Sequence, residues 1–133
     1  MNPFEREIWD STADFLDPAG ARRRKIKPED EAALATPVTL ADHLQSSYKL
    51  KAHLTVIGDA YARLEKGEID RIVLNTPPQV GKTVTAVVWA AFWYLILHPT
   101  NRVIIVCYGD SLAVKRGLSS RRRVEAFGKR YGL

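Results

Sequence analysis

Residues 71–83 have the sequence RIVLNTPPQVGKT, and this stretch decides the predicted fold. It begins with a β-branched run, residues 71–76, of the kind that favours a strand. An almost continuously apolar run, residues 84–97, follows the final threonine. This run is too short for a convincing membrane span and favours a helix buried in a core. The sequence therefore predicts a strand, a loop and a buried helix, in that order.

The loop between the predicted strand and helix has the residues that polyphosphate binding needs. Such sites use inward-pointing backbone N–H groups, a helix N-terminus, a lysine on the outer phosphates and a hydroxyl beside magnesium. Thr76 stands where the usual first glycine would be, and the two prolines that follow it lack N–H groups. The alternative is an ordinary turn with a helix-capping threonine. The predicted ligands of ATP are Gln79, Val80, Gly81, Lys82 and Thr83, with Thr83 also helping to hold Mg2+.

The remaining second half of the chain continues the alternation of strand and helix. Residues 102–107 resemble a second buried strand, and residues 111–128 a second helix capped by Asp110. Asp110 could instead be a magnesium ligand, as in small nucleotide kinases, but its distance from the apolar run favours the cap. The predicted fold class is α/β, a partial P-loop NTPase fold with parallel strands flanked by helices.

The first half of the chain predicts mainly helices. Short helices are expected at residues 5–16 and from Pro28, where proline and acidic residues begin a turn. Leu54, Ile57, Tyr61 and Leu64 then form one stripe of an amphipathic helix. We therefore expect a helical, loosely ordered N-terminal segment, residues 1–48, followed by a P-loop ATPase part, residues 49–133.

Charge is distributed unevenly along the 133 residues. Residues 1–70 hold 10 basic and 13 acidic residues, whereas residues 71–133 hold 10 basic and 2 acidic ones. A surface of one sign attracts polyanions, although a solvated face paired with acids elsewhere is an equal alternative. The candidate DNA contacts lie in the second predicted helix, at Arg116, Arg121, Arg122 and Arg123. The lone Cys107 and an N-terminus without signal-peptide character favour a cytoplasmic protein.

Two stretches resemble the ATPase domain of tailed-bacteriophage large terminase subunits. They are residues 64–83, LEKGEIDRIVLNTPPQVGKT, and residues 102–113, RVIIVCYGDSLA. The resemblance covers the chain from about Tyr48 onward, and the double proline before Gly-Lys-Thr is its most specific element. It implies an ATP- and Mg2+-dependent motor that packages double-stranded DNA. Its implied partners are the portal, the small terminase subunit and further copies of the same chain, with no membrane.

The chain departs from that family in ways that bear on activity. Gln79 stands where the family commonly has a loop arginine. The family's second acidic motif, an apolar strand ending in Asp-Glu, does not appear, and neither does the carboxylate cluster of its nuclease domain. We therefore assign no catalytic residue and expect an incomplete copy that does not hydrolyse ATP alone. The alternatives are a helicase-like DNA-dependent ATPase fragment and a non-catalytic fragment that binds DNA or partner subunits.

Overall fold

The computed structural model describes residues 26–133 and consists of helices joined by irregular segments. Two short helices, α1 (Pro28–Ala33) and α2 (Pro37–Leu44), precede α3 (Ala52–Glu65). A π-helix, Val84–Trp89, runs directly into α4 (Ala90–Leu97). The chain ends with α5 (Asp110–Phe127) and a 3-10 turn, Gly128–Tyr131. The predicted helix at residues 5–16 lies outside the described residues.

The first two helices begin where local chemistry favours a helix start. α1 has proline at its first position and three acidic residues in its first turn, which complement the helix dipole. α2 begins at Pro37 because Thr36 and Thr39 form a reciprocal capping box. The Thr39 amide donates to Thr36 Oγ1 at 3.1 Å, and the Thr36 amide donates to Thr39 Oγ1 at 3.0 Å. Pro37 therefore starts a helix, rather than only ending α1.

The main core lies around the apolar helix that follows the loop. Trp89, Phe92, Trp93 and Ile96 are buried together with residues of α1, α2 and the C-terminal turn. Burial of each such side chain contributes roughly 1.5–3 kcal/mol. Trp93 Nε1 donates to the Leu34 carbonyl at 2.7 Å, so the indole also satisfies a buried backbone group. The two helices of the predicted N-terminal segment thus share one core with the predicted ATPase part.

α3 forms a second, smaller cluster as its apolar spacing predicts. Leu54 and Ile57 are buried against Val38 of α2. Gly58 permits this approach, since a Cβ there would lie 2.9 Å from a methyl of Val38. Gly67 follows the end of α3 with φ +73°, the left-handed conformation that favours glycine. α3 is therefore fixed in the position from which it reaches the loop.

The predicted α/β fold is wrong for residues 26–133, where no strand or sheet forms. Residues 71–77 and 102–107 are irregular, and their apolar side chains are largely exposed: Val73 is 93%, Ile104 85% and Val106 86% accessible. Strand propensity acts through cross-strand neighbours, and two parallel strands alone are too few for a stable sheet. Leu74 packs instead on the α3 cluster, while residues 102–106 line a cleft on α3 and α4. The two runs therefore form no ladder.

The N- and C-terminal parts of the described chain are joined by a cluster around Asp30. Its side chain is only 3% exposed and receives Arg130 Nε at 2.9 Å and Arg130 Nη2 at 2.5 Å. His43 Nε2 lies 2.9 Å from Oδ1, and the Tyr131 hydroxyl donates to the same oxygen at 3.4 Å. The Arg130 guanidinium holds the pKa of Asp30 below its usual range, with His43 adding to the effect against the opposing effect of burial. We call these four residues the Asp30 cluster.

None of the helices in residues 26–133 combines the length and the apolar character needed to cross a bilayer.

Candidate phosphate-binding loop

The loop at residues 76–83 has an unusual backbone just before the helix. Gln79 has φ +62° and Gly81 has φ +86°, so two left-handed residues flank Val80. Helical conformation begins at Lys82. Left-handed residues in such a turn bring successive N–H groups to one side, which creates a concave site for anions. Gln79 adopts this conformation without glycine's freedom, which costs roughly 1–3 kcal/mol in backbone strain.

The backbone amides of the loop are available to a ligand. Within residues 26–133, none of the amides of Gln79, Val80, Gly81, Lys82 and Thr83 donates a hydrogen bond. These are the five amides that the sequence predicts as phosphate donors. The Gly81 carbonyl, in contrast, accepts from the Thr85 amide at 3.1 Å, so the helix is hydrogen-bonded from its first turn. Free N–H groups at a helix N-terminus suit an anionic ligand.

Lys82 lies across the mouth of the loop. Its ammonium donates to the Thr76 carbonyl at 3.3 Å and makes no ion pair among the described residues. Two of its three donor hydrogens therefore remain for a phosphate oxygen. Thr83 is half-buried beside it, and Thr76 Oγ1 is buried without a partner in this part of the chain. The predicted lysine and hydroxyl are thus brought together at one helix start.

α3 braces the loop from behind. His53 Nε2 donates to the Val80 carbonyl at 2.9 Å, which requires the tautomer protonated at Nε2. The methyl groups of Leu54 lie 3.8 and 3.9 Å from the position that a Cβ on Gly81 would occupy. The sequence singles out His53 only by its place at the start of α3. No local pattern reveals that it pairs with a carbonyl 27 residues later.

The π-helix after the loop is held by two tyrosines. Tyr61 donates to the Ala86 carbonyl at 3.0 Å, and the Tyr48 hydroxyl lies 2.7 Å from that of the fully buried Thr85. A side chain that donates a hydrogen bond to a backbone carbonyl interrupts the regular helical hydrogen bonds and so favours a wider turn. Burial raises the pKa of both phenols, so both remain protonated at neutral pH. The loop is therefore followed by a turn anchored to α3 and to the segment before it.

The four candidate DNA-binding arginines lie on α5 but not on one face. Arg121 and Arg122 are exposed, and Arg121 pairs with Glu125 at 2.8 Å. Arg116 and Arg123 are half-buried. The guanidinium carbon of Arg123 lies 4.8 Å from the centre of the Trp89 ring, so this arginine faces the core. Asp110 is in the first turn of α5 and Gly109 is the cap residue, so the predicted aspartate cap is wrong.

A metal site made by the protein alone is not evident in the described part of the chain. Residues 26–133 contain no group of three or more His, Cys, Asp or Glu side chains that could hold a metal ion. The loop nonetheless fits a nucleotide that brings its own Mg2+, because the amides, the ammonium and the Thr83 hydroxyl are the groups this chemistry uses. A cleft of about 700 Å³ between α3, α4 and residues 102–106 contains a Glu65–His98 pair at 2.9 Å. None of residues 76–83 lines it.

Comparison of the chain with protein-family models, curated proteins and solved structures gives no significant match.

Proposed function

We propose that residues 76–83 bind the phosphates of ATP and that the chain is the ATP-binding portion of a phage DNA-packaging motor of the large-terminase kind. The observation that carries this proposal is the loop backbone, which leaves five amides without partners among residues 26–133 at the start of the helix that begins with Lys82. The resemblance of residues 64–83 and 102–113 supplies the kind of motor. Such a protein would work in the bacterial host cytoplasm.

Each loop residue has a defined part in the proposed site. The amides of residues 79–83 surround the phosphates, and the helix N-terminus adds partial positive charge. Lys82 exchanges its bond to the Thr76 carbonyl for phosphate oxygens, which are the stronger, charged acceptors. The Thr83 hydroxyl helps to hold Mg2+, which neutralises charge on the outer phosphates. His53 fixes Val80 and so limits movement of the loop.

We expect binding without substantial turnover. Hydrolysis needs a group that positions the attacking water, and such groups typically contribute about 10² to 10⁴-fold. The family's Asp-Glu motif is missing from the sequence, and Gln79 replaces the loop arginine. Phosphate release by the purified chain measures this directly. Robust release that Lys82→Ala abolishes would place a catalytic carboxylate within these residues, with Asp110 the first to test.

Titration with a fluorescent ATP analogue tests the phosphate site. Lys82→Ala removes a charged hydrogen-bond donor worth about 1.5–3 kcal/mol, so affinity should fall roughly 10- to 100-fold. The matched control is Lys66→Ala, because Lys66 is an exposed lysine at the end of α3 whose side chain makes no hydrogen bond or ion pair among residues 26–133. Equal affinity of the two variants, with helix content unchanged by circular dichroism, would refute the phosphate site.

Salt dependence of binding to duplex DNA tests the other half of the proposal. Each phosphate contact contributes about 0.9 to the slope of log affinity against log salt concentration. Neutralising Arg121 and Arg122 with glutamine should therefore reduce the slope by about 1.8. Arg63→Gln is the control, since Arg63 is an exposed arginine on α3 paired with Glu68 at 3.3 Å. An unchanged slope in the double variant would mean that the basic side chains of α5 face solvent and do not contact DNA.

A further inference from the structure

The outward face of α5 is apolar at its centre and basic at its edges. No residue of this helix is buried. Val114 is 61% and Leu118 47% exposed, and they lie one turn apart beside the exposed Lys115, Arg121 and Arg122. DNA phosphates would account for the basic side chains but not for the apolar pair between them. The pattern suits a partner that is both acidic and apolar.

The chain preceding residue 26 starts near one end of this face. Ile26 packs on the same core cluster as Phe127, the last residue of α5, and Tyr131, in the 3-10 turn that follows. Asp30, four residues later, binds Arg130, three residues after that helix ends. Twenty-five residues precede Ile26 and can span up to about 80 Å. The 18 residues of α5 extend over about 27 Å, well within this reach.

The sequence of residues 4–17 complements that face. It contains five acidic residues and one arginine, a net charge of −4, while α5 contains five basic and two acidic residues, a net charge of +3. Three of its apolar residues, Phe4, Ile8 and Phe15, recur at i, i+4 and i+11, a spacing that would group them on one side of a helix. Opposite charge and matched apolar groups therefore occur in one chain, within reach of each other.

We propose that residues 4–17 dock on the outward face of α5 and compete with DNA for it. The docking is independent of the proposed function, whereas the competition rests on it. The acidic side chains pair with Lys115 and Arg122, since Arg121 is already paired with Glu125, and the apolar ones cover Val114 and Leu118. DNA must then displace the segment before it reaches the exposed arginines, so the chain limits its own DNA affinity.

Disulfide cross-linking of the full chain tests the docking without DNA. In a Cys107→Ser background, Ser11→Cys is paired with Gly117→Cys. Ser11 falls on the same side of the helical pattern as Phe4, Ile8 and Phe15, and Gly117 lies between Val114 and Leu118 with open space around its Cβ position. The control pairs Ser11→Cys with Thr55→Cys, an exposed position on α3. We expect a rapid intramolecular cross-link at Gly117 and slow cross-linking at Thr55. Equal rates would overturn the proposal, and a dimer band would assign the face to a second copy instead.

Charge reversal then identifies the contacts. Lys115→Glu with Arg122→Glu should slow the cross-link about fivefold, and adding Asp10→Lys with Asp14→Lys should restore it. Restoration excludes misfolding as the cause of the slower reaction. Failure of the second pair to restore the rate, in a variant with normal helix content, would overturn the proposed pairing.

DNA affinity tests the competition. Asp10→Asn with Asp14→Asn should increase affinity for a short duplex about fivefold. Asp59→Asn with Asp70→Asn, which neutralises two exposed acids elsewhere, should have a smaller effect. Equal gains in the two variants would overturn the competition. Cross-linking without any DNA binding would instead refute the proposed function and leave the docking intact.

Discussion

The Asp30 cluster makes an asymmetric prediction for Arg130→Ala and Asp30→Ala. Arg130→Ala leaves a carboxylate that is 3% exposed without its main partner, and breaking a buried pair in this way costs about 3–5 kcal/mol. Asp30→Ala leaves an arginine that is 42% exposed, so water can hydrate its guanidinium. The loss of the charged hydrogen bonds should therefore lower the free energy of unfolding by only about 2 kcal/mol. Loss of the more exposed partner should therefore be the more harmful change.

Urea unfolding monitored by tryptophan fluorescence measures the difference. With an m-value of about 1.5 kcal/mol per molar urea, Arg130→Ala should lower the midpoint by about 2.5 M and Asp30→Ala by about 1.3 M. The double variant should resemble Asp30→Ala, since no carboxylate then remains buried. If Arg130→Ala proves too unstable to fold, Arg130→Lys keeps the positive charge but cannot bind Asp30 through two nitrogens. Its urea midpoint should lie between those of the parent chain and Arg130→Ala. Equal losses, or a larger loss in Asp30→Ala, would refute the reasoning.

The Asp30 cluster also predicts that the stability of the folded chain falls at low pH. Because Arg130 lowers the pKa of Asp30 in the folded chain, this stabilisation is present above the unfolded value, about 3.9, and is lost as the pH falls through the folded value. Arg130→Ala should reduce that dependence. Urea midpoints measured between pH 5 and pH 2 would show it, and parallel pH profiles for parent and variant would contradict it.

Three further variants test single positions. Burial, together with the nearby Asp30 carboxylate, raises the pKa of Tyr131 to about 12. The stability that the neutral phenol contributes to the folded chain is therefore complete below about pH 10 and is lost as the pH rises through 12. Tyr131→Phe should flatten this alkaline loss of stability in thermal melts. Gly58→Ala should destabilise the chain by about 1–3 kcal/mol in urea, because its Cβ would meet Val38 at 2.9 Å. Gly117→Ala should stabilise the chain by about 0.5–1 kcal/mol, because Gly117 lies on the helix surface with open space around its Cβ position. Similar effects of the two changes would show that contact with Val38 is not the cause of the loss at Gly58.

Local patterns predicted the helices well because their causes are local. The spacing of Leu54, Ile57 and Tyr61 is enough to define the buried face of α3, and the continuous apolar run around Trp93 is enough to place the core helix. The loop also lies where the sequence predicts, immediately before the helix that contains Lys82. These features depend on residues a few positions apart.

Features that depend on distant residues could not be predicted in this way. The two β-branched runs lack the neighbours that would turn strand propensity into a sheet, and propensity alone does not reveal that lack. The bond between Arg130 and Asp30 joins positions 100 residues apart, and both belong to ordinary-looking charged stretches. His53 behind the loop is a similar case. In each of these cases, the packing of distant parts of the chain determines which residues meet.

The π-helix has a consequence for the length of the chain. Each of its turns closes over one residue more than an α-helical turn, so the segment Val84–Trp89 stores extra chain between two fixed ends. Deleting one residue there would allow a regular α-helix and would keep Phe92 and Trp93 facing the core, because five α-helical residues turn the chain about as far as six π-helical ones. Deleting a residue within α4 would instead rotate the residues after it by about 100°. The π-helix is therefore the part of this continuous helix from which one residue can be removed at least cost to the core.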